Sequence, residues 1–216
     1  TSLNDIRDQH ELMVMGVLKP LQEQTGVGLG WYTNQFFVAP LFSEGALTGP
    51  HKDAYLFASW LAKSALDTVM DLNGQGAVWW GGREGFKDVR ITDIALQQLL
   101  GSTFMKRAVG YGQKIGFFEN GRKFWVEPKR REPTAEQSDA DVMTAWASIL
   151  MAGLQDFIGF NVEVNHAWLA GRTARDEFMK AIALRRLYGI DANAGANEFL
   201  GWDADLFPNW KAALEI

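Results

Sequence analysis

The stretch Phe157-Ile-Gly-Phe-Asn-Val-Glu-Val164, running on into Asn165-His166, decides how this chain folds. Its β-branched and aromatic residues mark a strand and not a helix. A helix is predicted from about Ala174 to Leu184, and Leu187 to Ile190 begins the next strand. The same order recurs upstream. Ala77 to Trp80 is a brief apolar strand, followed by a Gly-rich loop and a helix from about Thr92 to Ile115. Lys123 to Val126 is another strand, followed by a polar loop and a helix from about Ala140 to Leu154. Before these, near-helical apolar spacing over residues 2–24 ends at Gly26, a predicted C-terminal cap, and Val27 to Thr33 reads as a short strand. A long loop from Asn34 to Pro50 leads to a helix from Asp53 to Leu72, stopped by Asn73-Gly74. Strands alternating with helices at intervals of roughly 30 to 45 residues imply parallel βα units, in a doubly wound sheet or a (β/α) barrel. No Pro/Gly linker divides the series, so residues 1–216 are expected to form one domain.

Composition narrows the function. The chain has 216 residues, 47% apolar and 22% charged, with nine Trp and fourteen Phe, which excludes a disordered or low-complexity protein. At this length roughly 70% of the unfolded surface can be buried, so a sizeable core is possible. Lys and Arg number 21 against 26 Asp and Glu, a net charge of -5, which leaves no general positive field for nucleic acid or anionic lipid. With no cysteine, disulfides, thiolate metal sites and thiol nucleophiles are excluded. No apolar run approaches the ~18 residues of a membrane span, and Thr1-Ser-Leu-Asn-Asp5 lacks the regions of a signal peptide, so a soluble, cytoplasmic protein is expected.

The chemistry gathers where strands end. After the strand at Ala77 comes Trp80-Gly-Gly-Arg-Glu-Gly85; after Lys123 to Val126, Glu127-Pro-Lys129; after Phe157 to Val164, Glu163 with His166; after the last, Asp191. Parallel strands place all their C-terminal ends on one face, so Glu84, Glu127, Glu163 and Asp191 are expected to form a negative ring that needs cations or protons. Glu163 and His166 are spaced i, i+3, and Asp203-Ala-Asp205 can project two carboxylates the same way from an extended segment. Such mixed oxygen and nitrogen donors suit Mg, Mn or Co better than a soft metal. Glu127, Glu163 and Asp191 could hold a second ion, with Glu163 shared. Alone, Glu127 reads as a salt-bridge residue and Asp-x-Asp as a solvated turn; recurrence at equivalent positions of consecutive βα units is what favours a site. Trp80 could equally be core. His10 and His51 read as surface or packing residues, and a helical di-iron arrangement is excluded because no second Glu-x-x-His occurs.

At these residues the sequence resembles xylose isomerase, a metal-dependent aldose-ketose isomerase built on a (β/α)8 TIM barrel, and its longer-chain branch most closely. The segments that carry the resemblance are Trp80-Gly-Gly-Arg-Glu-Gly85, Val126-Glu-Pro-Lys-Arg-Arg-Glu-Pro133, Asn161-Val-Glu-Val-Asn-His166 with Leu169-Ala-Gly171, and Ile190-Asp-Ala-Asn193 leading to Gly201-Trp-Asp-Ala-Asp-Leu-Phe-Pro208. The resemblance implies that Glu127, Glu163 and Asp191 bind the cation that holds the sugar's hydroxyls, and that Glu163, His166, Asp203 and Asp205 bind a second. It implies that Lys129 hydrogen-bonds the carbonyl of the open-chain sugar, that Trp80 walls the pocket, and that Asn34 and Phe36 contact substrate. The implied reaction is a hydride shift between C1 and C2, D-xylose to D-xylulose and possibly D-glucose to D-fructose, needing two divalent cations and no organic cofactor.

The match covers about five of the eight βα units. The family's first two strands and eighth strand have no counterpart here, nor do its ring-opening His-Asp pair and the fourth carboxylate of the first metal site. Five strands cannot close a barrel, so two edges require cover. The chain is therefore expected to be a portion of a longer isomerase, or to be completed by partner chains, with a homotetramer implied by the resemblance. A non-catalytic metal- or sugar-binding remnant is the alternative function. A barrel endonuclease or sugar-phosphate epimerase accounts less well for the Trp-Gly-Gly-Arg-Glu-Gly segment.

Overall fold

In the computed structural model, which describes residues 8, 10–86, 93–131, 136–195 and 203–204, the predicted alternation of strand and helix is present. A π-helical turn, Val14–Leu18, runs into helix α1 (Lys19–Thr25), which ends at Gly26 in the left-handed conformation, φ 70°. Strand β1 (Trp31–Gln35), a 3-10 turn (Pro40–Phe42) and helix α2 (Lys52–Asp71) follow. Next come β2 (Gly76–Trp80), β3 (Gly85–Phe86), α3 (Ile94–Lys114), β4 (Lys123–Val126), β5 (Glu136–Gln137) and α4 (Val142–Ala152). The remainder is β6 (Ile158–Glu163), α5 (Val164–Leu169), α6 (Ala174–Ala183), β7 (Leu187–Asp191), β8 (Ala194–Gly195) and β9 (Asp203–Ala204).

Local chemistry sets the helix ends. Asp93, Asp141 and Thr173 each accept a hydrogen bond from a first-turn backbone N–H, capping α3, α4 and α6. Along α2 the buried face is Ala54, Ala58, Ala62, Ala65, Leu66 and Val69, small residues at helical spacing that let the helix lie close to the sheet. The short helix α5 was not foreseen in the sequence. It begins directly after Glu163, so the Glu-x-x-His segment straddles a strand end and a helical turn, and His166 is carried back over the end of the sheet.

The main sheet has five strands in the order β1-β2-β4-β6-β7, every neighbouring pair parallel. A doubly wound sheet reverses its strand order at a switch point. Here the order follows the chain, as in a barrel, and the α/β architecture is of the TIM type. Alternation along each strand then separates two faces. Tyr32, Ala77, Trp79, Phe124, Val126, Ile158, Phe160 and Val162 join the core with the helices, where Trp79 packs on Phe104 of α3 at 5.8 Å and on Phe124 at 4.6 Å. The opposite parity, Trp31, Val78, Trp80, Trp125, Asn161, Glu163, Gly189 and Asp191, faces what is the inside of a barrel. Trp125 spans that face: it lies 5.3 Å from Trp31, and a Cβ on Gly76 or Gly189 would press against its ring. No helix among the described residues is long and apolar enough to cross a membrane.

Candidate metal centre

Glu127 continues the inward parity of β4, since its N–H donates to the Trp79 carbonyl at 3.1 Å and extends the ladder by one residue. Glu163 closes β6, and the first turn of α5 returns His166 above it. Each of these three residues offers a ligand atom within 4.8 Å of the others, and all three are buried. His166 Nε2 lies 3.1 Å from Glu163 Oε1, and Nδ1 lies 3.5 Å from Glu127 Oε1. Asp191 joins through Asn161, whose side-chain amide donates to Glu127 Oε2 and to Asp191 Oδ2, both at 2.9 Å. Asn193 donates to Glu163 Oε1 at 2.7 Å and accepts the Asn165 N–H at 3.1 Å.

The protonation states suit a cation. Burial, and then the charge of Asp191, raise the Glu127 pKa to about 7, against the Asn161 amide and the Lys129 ammonium. Burial and next the Lys129 charge hold His166 well below its ordinary 6.5, so the imidazole is neutral at neutral pH and its lone pair is available to a metal. Buried carboxylates that repel one another beside a neutral imidazole could be stabilised by a divalent ion, for which they offer oxygen and nitrogen donors.

Lys129 is 2% exposed, and its ammonium sits 4.8 Å above the Trp80 ring. Trp80 in turn lies nearly parallel to the His166 ring, at 6.3 Å and 9°. Trp80 thus contacts both the lysine and the His166 ring from the inward parity of β2. The Gly-Gly after it has a steric cause: a Cβ on Gly82 would meet both Trp80 and Phe37.

Other expected residues are placed elsewhere. Glu84 is not in the ring. Its carboxylate accepts the N–H groups of Ala46, Leu47 and Thr48 and the Thr48 hydroxyl, which ties the loop after β1 to the Trp80 segment. Asn34 shares its register with Trp79 and therefore its helix-facing parity. Phe36 continues that parity and is fully buried against Phe104 at 5.7 Å. The next residue, Phe37, is the one that meets Trp80, at 5.0 Å. Asp203 lies on β9, paired antiparallel with Gly195 of β8; Asp205 and the Glu132-Pro133 bond lie outside the described residues. His10 packs on Trp60 and contacts Thr68, and His51 contacts Glu44, as expected of packing and surface residues.

Asn161, Asn193 and Phe37 were not singled out as site residues. Period-two alternation on the strand that carries Glu163 points to Asn161; Asn193 closes the quoted Ile190-Asp-Ala-Asn193 segment, but no spacing rule gives it a role. A half-buried carboxylate, Asp139, sits near Glu84 beside the Trp80 segment. It lines a cavity of about 80 Å³ between α3 and α4 with Glu84, Thr48 and Ser102. Burial first, and Glu84's charge second, push its pKa up to about 8.

No protein-family model matches the chain. Among solved structures, 3-keto-D-glucoside 4-epimerase from E. coli superposes with a TM-score of 0.63 at 13% identity, over 84% of this chain and 65% of that one. L-ribulose 3-epimerase gives 0.58 at 13%, over 81% and 53%. These likenesses show the fold. Sequence relatives are nearer: xylose isomerase of Thermotoga petrophila is 41% identical over 190 residues, 88% of this chain and 42% of that protein. The xylose isomerase of Bacillus subtilis is 38% identical over 196 residues, 91% and 43%. Over nine-tenths of its length or close to it the chain is xylose isomerase-like, and it spans less than half the length of the curated relatives it matches.

Proposed function

We propose that this chain provides the cation- and substrate-holding part of an aldose-ketose isomerase that converts D-xylose to D-xylulose, with D-glucose to D-fructose as a second substrate pair. The observation that supports it is the gathering of Glu127, which follows β4, with Glu163 and His166 of the β6–α5 junction, within 4.8 Å of one another. Glu127, Glu163 and Asp191 would hold one divalent ion, and Glu163, His166, Asp203 and Asp205 a second. When bound, Mg, Mn or Co would polarise the sugar's oxygens and offset the charge that builds on them during the hydride shift between C1 and C2.

The chain's own residues do the rest. Lys129, buried and stacked over Trp80, would donate to the carbonyl oxygen of the open-chain sugar. Trp80 and Phe37 would line the apolar side of the pocket and keep solvent protons from the reacting carbons. His166, neutral through burial, needs no deprotonation before it ligates. Residues 1–216 would act as one unit, in the cytoplasm, within a homo-oligomer or together with a segment that closes the barrel.

The test is calorimetric titration of the purified chain with Mn²⁺, followed by assay with xylose. Mn²⁺ binding that Glu163→Gln weakens at both sites, together with xylulose formation, supports the isomerase. Activity on open-chain sugar alone would place ring opening outside this chain. Binding without conversion of either form would support a metal- or sugar-binding role, and no Mn²⁺ binding would overturn both.

A further inference from the structure

We infer that Asn161 is a positioning residue that sets the separation and orientation of the Glu127 and Asp191 carboxylates for a divalent cation. The inference rests on the metal reading above and concerns a residue that holds no ion itself.

Asn161 is fully buried on the inward parity of β6, between helix-facing Phe160 and Val162. Its single Nδ2 donates to one oxygen of each carboxylate, Glu127 Oε2 and Asp191 Oδ2, both at 2.9 Å. The amide orientation follows from chemistry: ionised carboxylates only accept, so the NH₂ must face them. One amide therefore engages two like-charged groups, through both its N–H bonds, without neutralising either. Because one oxygen of Glu127 is taken, the other is left on the side of His166, 3.5 Å from Nδ1.

The other end of the amide shows what this arrangement costs. Asn161 Oδ1 is buried without a hydrogen-bond partner, a state that destabilises the fold. It points at Gly189, its register partner on β7, and a Cβ at residue 189 would collide with it. A side chain kept only for packing would be apolar here, and one kept only for the strand ladder would not need a glycine opposite. The pairing of an unsatisfied carbonyl with a glycine that makes room for it is explained by the two carboxylates at the donor end.

Two variants test this from opposite ends of the amide. Asn161→Ala removes the donor, and Gly189→Ala displaces the amide while leaving it present. Each is expected to lower Mn²⁺ affinity at the Glu127 and Asp191 site by about 10- to 100-fold, the usual effect of losing a residue that orients metal ligands. Melting in EDTA should hold for at least one of the two. In the double variant, the Gly189→Ala effect on Mn²⁺ affinity should largely vanish, because its target is gone. The visible spectrum of bound Co²⁺ should also shift in both single variants, a change that loss of packing elsewhere does not produce. Unchanged or increased Mn²⁺ affinity in Asn161→Ala, or fully additive effects in the double variant, would overturn the assignment. Failure of the unmutated chain to bind Mn²⁺ would instead remove the metal reading on which it stands.

Discussion

At the scale of single residues, the most consequential groups are buried carboxylates, and they differ in how they are satisfied. Glu84 is met by three backbone N–H groups and a hydroxyl. Truncation to Ala would orphan all four donors, at about 1–3 kcal/mol for each that water cannot reach, so Glu84→Ala should lower stability by about 3 kcal/mol or more in urea unfolding. An unchanged midpoint would contradict the anchoring role. Burial raises the pKa of Glu84 despite these donors, and burial together with the Glu84 charge raises that of neighbouring, half-buried Asp139 from 3.8 to about 8. The folded state then binds more protons than the unfolded one between these values, so this group's contribution is full below about pH 4 and is lost as pH rises through 8. Stability should fall from about pH 5 to about pH 8, and the fall should be smaller in Asp139→Asn. Equal slopes in the two proteins would refute the shift. Both acids were visible in the sequence as acids only. Glu84 stands after a strand as Glu127 does, and only the loop folded back over it decides that one carboxylate meets N–H groups and the other a histidine.

At the scale of elements, the edge of the site depends on how closely β7 lies on β6. Gly159 faces Tyr188 so directly that a Cβ there would collide with the ring and with the Arg186 carbonyl. Gly159→Ala should therefore push β7 outward, at about 1–3 kcal/mol of overpacking strain, and carry Asp191 away from Asn161. Mn²⁺ affinity and the urea midpoint should fall together; a neutral result would mean that β7 is held by something other than this contact. Strand and helix spans were largely legible, because a change from β-rich to 3.6-period patterning survives in a single sequence: β4 is found at the predicted Lys123–Val126, and α2 within one residue of its predicted ends. Helix α5 was not, since six residues are too few to display a period, and its place depends on β6 ending at Glu163. The placement of Asn34 and Phe36 was not legible at the same scale. A β1 strand that begins at Trp31 fixes which parity faces the helices, and Phe37 falls on the inward side.

For the whole molecule, exposed apolar residues occur on several elements, and one run of them lies early in the chain. Leu12 is 69% exposed, Met13 54%, Val17 49% and Leu21 51%, all in the segment before β1. The sheet also ends in β1 on one side and β7 on the other. Apolar surface of this kind is where copies would meet in the proposed homo-oligomer; light scattering should then give a mass above that of one chain, with charged substitutions at Met13 and Leu21 shifting it toward one chain. A single-chain mass at all concentrations would count against a homo-oligomer. Metal should be felt beyond one element, because its proposed ligands stand after β4 and at the β6–α5 junction. At 100 times Kd, a bound ion adds about 2.7 kcal/mol, which raises Tm by roughly 5–10 °C for a chain of this size. An EDTA-insensitive melt would contradict a centre built from Glu127, Glu163 and His166.

Sequence by itself established the alternation of strand and helix, the common rim at the strand ends, and the acids and histidine that stand there, because each is a matter of local pattern and residue chemistry. Tertiary structure alone decided that the strand order runs with the chain, that Glu84 turns to backbone N–H groups, that Phe37 and not Phe36 meets Trp80, and that Asn161 bridges two carboxylates across a glycine. Those outcomes depend on which strands become neighbours and in what register, and a register is a property of two segments together that neither segment's composition contains.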